Sequence, residues 1–481
     1  MESSIRNSIW VPAKAVELGS ANLLIFGFAI FGLFTANPLE TFWSFILLWI
    51  LLKLFWWKEF PPVLVYGTLI PWIEVHVSAF EANFYGLPLD ELYAGTGQST
   101  FWMASIGLFA VCMGLKFGMN RKGLNQVLSK EMLIAAAQKL DQTRLLLAIF
   151  GVRIAGGFVQ GFLGFGSSLQ QLATYFFGIG EVLAVCLYLN FFVTRKRPLL
   201  FFTFFAFELL TSFYSYFGSW KGPVLLLFLT SLWNINRVTN RALMRFLPAF
   251  LLLGTLLFTW QAVKVNYRAF LSNEEGQVVR VTQSEALGEF FRLASESTTL
   301  TREERIAIFS GTLRRIGYLE YFNAVVEKVP IALPFESGRL LKENLNFALV
   351  PRILNPNKGV KSDRDKVEKY TDYNFGGERN KSSFSLGHYC EAYVDWGPYG
   401  MQIQLFFYGL IGTFLWSLTR RRYLKINPVF LIGLLWVVML PWGTMQQDMI
   451  TIIGKTVWGA VCHLIIFHRG YFFLEKFVTL R

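Results

Sequence analysis

Two short stretches late in the chain carry the residues best suited to chemistry on an anionic substrate. In Leu349-Val-Pro-Arg-Ile-Leu-Asn-Pro-Asn-Lys-Gly359, Arg352 follows Pro351 in an apolar setting, where a charge needs a partner or a ligand, and Lys358 follows shortly after. Arginine suits phosphate because its planar guanidinium donates in a bidentate fork and keeps its charge. Further on, His388, Glu391 and Asp395 have the spacing that puts side chains on one face of a helical turn. Glu391 stands among Tyr389, Tyr393 and Trp396, and a carboxylate against aromatic rings is raised toward general-base duty. The same residues would also serve as an interfacial aromatic belt with a helix cap.

Both stretches belong to a long hydrophilic segment, from about Lys264 to Gly400, that lies between hydrophobic runs and is scattered with arginines. Most arginines in such a segment are solvated surface. Arg314 and Arg315 are neighbours, about 100° apart on a helix, so at most one of them points fully into a cleft. Thr301-Arg-Glu-Glu304 is a capping-box start, and the apolar spacing after it predicts one helix to about Val329, closed by Pro330. Residues 357–383 are polar and rich in Gly, Asn and Lys, the composition of a mobile flap.

The rest of the chain must hold these residues, and its composition says how. Hydrophobic residues make up 54% and charged residues 16%, with a mean hydropathy of +0.42, against roughly 25% charged in ordinary soluble chains. The expected fold class is therefore an all-α polytopic membrane protein, with about twelve apolar runs near membrane-spanning length. Residues 1–263 would form a membrane bundle of about nine spans, 264–399 one large extracytoplasmic helical loop that completes the site, and 400–481 three C-terminal spans. Lys58, the Lys116–Lys130 group, Arg195–Arg197, the Arg237–Arg245 group and Arg420–Lys425 fall in alternate short loops. That bias places them in the cytoplasm with both termini, and the large loop outside. Orientation then accounts for much of the net charge of +13, and nucleic acid is not an expected partner.

Of four cysteines, Cys112, Cys186, Cys390 and Cys462, one falls in the large loop, which leaves no disulfide within it. No CxxC pair or histidine cluster reads as a metal site. Residues 121–141 show the spacing of an amphipathic interfacial helix, and Gly157-Phe-Val-Gln-Gly161 the small-residue pattern that lets helices approach. Charges inside apolar runs are costly and are paired or functional. Arg153 would pair with Glu181 or Glu208, or else, together with Lys455, would neutralise a lipid phosphate drawn in from the side.

The Pro351-Arg352 stretch, Lys358, and Glu391-Ala-Tyr-Val-Asp-Trp-Gly-Pro-Tyr-Gly400 leading into a span together resemble the Wzy-type oligosaccharide repeat-unit polymerases. The likeness covers about residues 300–415; Asn355 before Pro356 departs from the usual motif, and His388 before the glutamate is a feature of the related O-antigen ligases. It implies a glycosyltransferase of the bacterial cytoplasmic membrane. Such an enzyme joins sugar repeat units carried on undecaprenyl pyrophosphate, without a cofactor or metal, and works with a chain-length regulator protein. By this likeness Arg352, Lys358 and one of Arg314 or Arg315 would grip the diphosphate, and Glu391 or His388 would be the base. An O-antigen ligase, or from another class a flippase of lipid-linked sugars, would meet many of the same observations.

Overall fold

The computed structural model describes residues 10–93, 95–163, 170–214, 220–273, 279–350, 354–355, 358–359, 363–373, 385–443 and 445–480. Almost every regular element is helical, apart from one antiparallel pair of three-residue strands, β1 (Trp10–Pro12) and β2 (Gln126–Leu128). Eight helices among the described residues are long and apolar enough to cross a membrane, and Ser20–Gly32, Pro198–Phe213 and Pro428–Met439 are apolar but shorter. The four cysteines are buried and form no disulfide.

The basic loops meet at one end of the bundle. β1 pairs with β2, and bridges join Ala15 to Trp57, Glu17 to Arg237 and Leu140 to Thr479. Lys58 bonds to Glu17, Gln142 to the Lys196 carbonyl at 3.1 Å, and Arg420 to the Leu124 carbonyl at 3.1 Å with its guanidinium over Trp10. The hydrophilic segment docks at the other end. There Thr96 meets Asn323 at 2.7 Å, Arg314 meets Glu81 at 2.9 Å, and the Tyr318 amide donates to the Glu74 carbonyl at 2.9 Å.

The helices Gly97–Arg121 and His388–Arg422 form the tightest seam. A Cβ on Gly114 would stand 2.0 Å from the Phe406 carbonyl oxygen, and one on Gly409 would stand 2.1 Å from that of Val111. One turn along, Thr413 donates to the Leu115 carbonyl at 2.8 Å beside Gly118. Small residues here let two backbones touch, and the obstacle is main chain that cannot rotate away. Gly409→Ala should therefore cost about 1–3 kcal/mol or more, as overpacking does. Unfolding in detergent measures it, and wild-type stability would mean that the seam gives.

Three local expectations need correction. The close approach assigned to Gly157 is not made there, where nothing lies within 4 Å of an added Cβ; its neighbour Gly156 faces Phe177 instead. Residues 121–141 are not one amphipathic helix. Gln126–Leu128 extends to pair with Trp10–Pro12, and a short helix follows at Lys130–Gln138, because backbone pairing with the N-terminal segment takes the place of helical bonds. The Thr301 capping box forms as read, with Glu304 returning the bond, but its helix stops at Ile316 and a second runs Leu319–Lys328. The break occurs where the Tyr318 amide leaves the helical ladder for Glu74.

The helix His388–Arg422 is itself two pieces, since Gly397 (φ 67°) precedes Pro398 and interrupts it. Its first nine residues pack with the hydrophilic segment, and the apolar remainder continues the bundle.

Candidate functional site

The site is built where four helices converge. Helix Arg339–Leu349 begins at Gly338, which has no side chain to cap it, and Asp395 of the helix His388–Arg422 supplies the cap. Asp395 accepts from the Leu340 amide at 2.9 Å and the Leu341 amide at 2.7 Å, filling two orphan donors and matching the positive end of the helix dipole. At the other end Lys358 donates to the carbonyls of Phe347 and Val350 and lies 4.1 Å above the Phe347 ring. A cation on terminal carbonyls stabilises a helix C-terminus. Held at both ends, this helix points Asn344 inward, fully buried.

Part of the stretch expected to be a flap is instead a helix, Asp363–Tyr370. Lys366, Val367 and Tyr370 share its buried face, and Val367 with Tyr370 anchors it in the main core. That anchoring draws Lys366 inside. Its ammonium bonds to Glu391 and to the side-chain Oδ1 of Asn344 at 3.2 Å, and faces Asp448 at 3.8 Å. Glu391 is 0% exposed, and each oxygen is engaged: Lys366 and Asn344 bond to one, the Met449 amide to the other at 2.5 Å. Asp448 caps the helix Met449–Val461 through the Thr451 amide at 3.2 Å.

Asp363 completes the group. It is partly exposed and lies beside Asp448. Burial, and then the neighbouring Asp448 charge, push its carboxyl up to about 7, against the pull of Lys366. Three carboxyl groups thus surround one ammonium, and the crowding of like charges favours the protonated form of Asp363. Asp363 is the member with an open side. It can take or give a proton near neutral pH, whereas Glu391 is fully engaged in holding Lys366 and the Met449 amide.

The other expected site residues are placed as follows. His388 is buried between Tyr389 and Tyr408, ring centroids 4.7 and 5.0 Å away; its backbone amide donates to the Gln447 carbonyl at 3.0 Å, and neither ring nitrogen is hydrogen-bonded, to Glu391 or to any other described group. Arg314 bonds to Glu81, a carboxylate 1% exposed that Tyr93 and Ser310 also contact at 3.3 Å. Arg315, next along the helix, makes no bond to Glu81 like that of Arg314. Arg153 makes a two-pronged pair with Glu208, one prong at 2.6 Å, so its charge is matched inside the protein. Lys455 is exposed and reaches Gln447 at 3.4 Å. Arg352 lies outside the described residues, as do Arg379 and the Gly164–Gln170 loop apart from Gln170 itself.

Lys366, Asp363, Asp448 and Asn344 escaped the sequence reading. The available signal was one aliphatic and one aromatic, Val367 and Tyr370, set one and four residues after Lys366 in a polar run. A second was the polar Gln446-Gln447-Asp448 between two apolar stretches.

A family model described as Domain of unknown function (DUF8712) matches residues 94–421, more than half of the chain, and these include Asn344, Asp363, Lys366 and Glu391. No curated protein and no solved structure matches the chain.

Proposed function

We propose that this chain, which belongs to the DUF8712 family, is a membrane glycosyltransferase. In this reading it polymerises undecaprenyl-pyrophosphate-linked repeat units at the outer face of a bacterial cytoplasmic membrane, as the resemblance to Wzy-type polymerases implies. The observation that carries it is the Asp363 carboxyl, partly exposed, poised near neutral pH and fixed against Asp448, Lys366 and Glu391 beside the seam where the hydrophilic segment enters the bundle. The gathering of basic loops at the opposite end supports an orientation with the docked hydrophilic segment outside and both termini in the cytoplasm.

The chemistry needed is modest because the diphosphate is already a good leaving group. An acceptor hydroxyl attacks the anomeric carbon of the donor, the carbon to diphosphate-oxygen bond breaks, and the hydroxyl proton passes to Asp363. Glu391 and Lys366 fix the geometry around it, and cations of the hydrophilic segment stabilise the departing diphosphate. No cofactor is required. The partners are the lipid-linked donor and acceptor, the bilayer and a chain-length regulator.

Purified protein given a defined lipid-linked repeat unit should lengthen it into a ladder of products. Transfer only onto a lipid A core would make it a ligase, and movement of units across vesicles without chain growth would make it a transporter.

A further inference from the structure

A cavity of about 120 Å³ lies at the end of the bundle where the hydrophilic segment docks, and it shares no residue with the Asp363 cluster. Its walls are residues 36–40 at the start of the helix Pro38–Phe55, residues 88–90 at the start of the short helix Leu89–Leu92, and Gln98 in the first turn of the helix Gly97–Arg121. Asn37 fixes the first two against each other. Buried at 4% exposure, it donates to Asn83 and to the Leu87 carbonyl, both at 2.9 Å, and accepts from the Leu89 amide at 2.7 Å. Gln98 ties in the third, since its side chain donates to Glu40 Oε1 and its backbone amide to Asp90 Oδ1, each at 2.7 Å. Hydrogen bonds within the chain therefore set the shape of the cavity before any ligand enters, which lowers the cost of binding.

Glu40 is 1% exposed, and both of its hydrogen bonds, from Gln98 and from the Trp102 indole at 3.0 Å, reach the same oxygen. Among the described residues Glu40 Oε2 and Asp90 Oδ2 have no hydrogen-bond partner, and neither carboxylate has a cation beside it. The helix start lends Glu40 a partial positive charge and its two donors are neutral, so nothing supplies a full countercharge. A carboxylate withdrawn from water without one is costly, and a bound cation offsets that cost. The space selects the kind of cation. A water needs only about 10–15 Å³, so the cavity admits an organic group, whereas a calcium ion takes roughly six to eight oxygen ligands and each carboxylate here has one oxygen to offer. We propose that Glu40 and Asp90 form a binding site for a primary ammonium group, carried by an amino sugar or by the ethanolamine headgroup of a phospholipid. An ammonium has three donors and no acceptor, which matches two carboxylate oxygens that lack donors.

The test uses the full-length protein in neutral detergent at about pH 6, where amines are charged and carboxylates ionised. Binding is read by titration calorimetry and by the thermal unfolding midpoint. Glucosamine and glucose differ in an ammonium against a hydroxyl, and micelles containing phosphatidylethanolamine or phosphatidylglycerol make the corresponding comparison for lipids. One ammonium-bearing probe should bind and raise the midpoint while its counterpart does not; binding of glucosamine points to a glycan as the source, and binding of phosphatidylethanolamine to the bilayer. Glu40→Gln keeps an acceptor for Gln98 and Trp102 and so should fold, yet it should weaken that binding about tenfold or more, the worth of a hydrogen bond to a charged group. Asp90→Asn, at the more open side, should weaken it as well. Equal binding within each pair, no binding of either ammonium probe, a midpoint rise as large with calcium ion alone, or undiminished binding by both folded variants would overturn the proposal. No lipid-linked donor is present, so the result is independent of the chain-growth assay.

Discussion

On the proposed function, Asp363→Asn should abolish chain growth while leaving a folded protein that still binds the proposed lipid-linked substrate. A positioned base contributes about 10²–10⁴ in rate, and asparagine keeps the shape and polarity beside Asp448 but accepts no proton. The wild-type rate should rise with pH through about 7, the value to which burial and Asp448 push the Asp363 carboxyl. Stability runs the other way. The folded protein holds the proton more tightly than the unfolded chain, so the contribution is fully present below the ordinary aspartate value and is lost as pH rises through about 7. Asp363→Asn should flatten both profiles, and at pH 8 it should unfold at a higher temperature than wild type. A variant that still elongates at a wild-type rate with an unchanged pH profile would remove Asp363 from the chemistry.

The helical character of this chain was legible because long apolar runs and alternating basic loops are one-dimensional signals, and the structure gathers those loops at one end. The Thr301 capping box was equally plain, since four residues suffice to make it. What stayed hidden depends on distant segments. Nothing local to Tyr318 says that its amide will leave a helix for Glu74, and nothing near residue 126 says that a strand at residue 10 awaits it. The site shows the same division. Glu391 and Asp395 were found because aromatic neighbours and helical spacing mark them, and Asp395 then proved to cap a helix begun by a glycine more than fifty residues earlier. Lys366 sits in a stretch whose composition reads as solvated, and only Val367 and Tyr370, by anchoring it to the core, turn the lysine inward. Arg153 shows how an intramembrane charge can be read two ways from sequence, since the choice rests on whether Glu208 reaches it.

The second large effect should come from separating Glu391 and Lys366. Both side chains are withdrawn from water, so each is tolerated because the other is there. Glu391→Gln leaves the ammonium with Asp448 at 3.8 Å and the Asn344 oxygen at 3.2 Å, and also deprives the Met449 amide of a charged acceptor. Removing one partner of a buried pair costs about 3–5 kcal/mol. Lys366→Gln should be at least as damaging, because Glu391, Asp448 and Asp363 then face one another without a cation. The double variant Glu391→Gln with Lys366→Gln should cost less than the sum of the two, with a coupling of about 1–3 kcal/mol measured by denaturant unfolding in detergent. If Lys366 chiefly positions Asp363, the double variant should fold yet elongate poorly, and its rate profile should shift to higher pH because the ammonium that favours the Asp363 carboxylate is gone. Strict additivity, together with an unmoved pH profile, would mean that the pair neither holds the four helices together nor sets the proton affinity of Asp363.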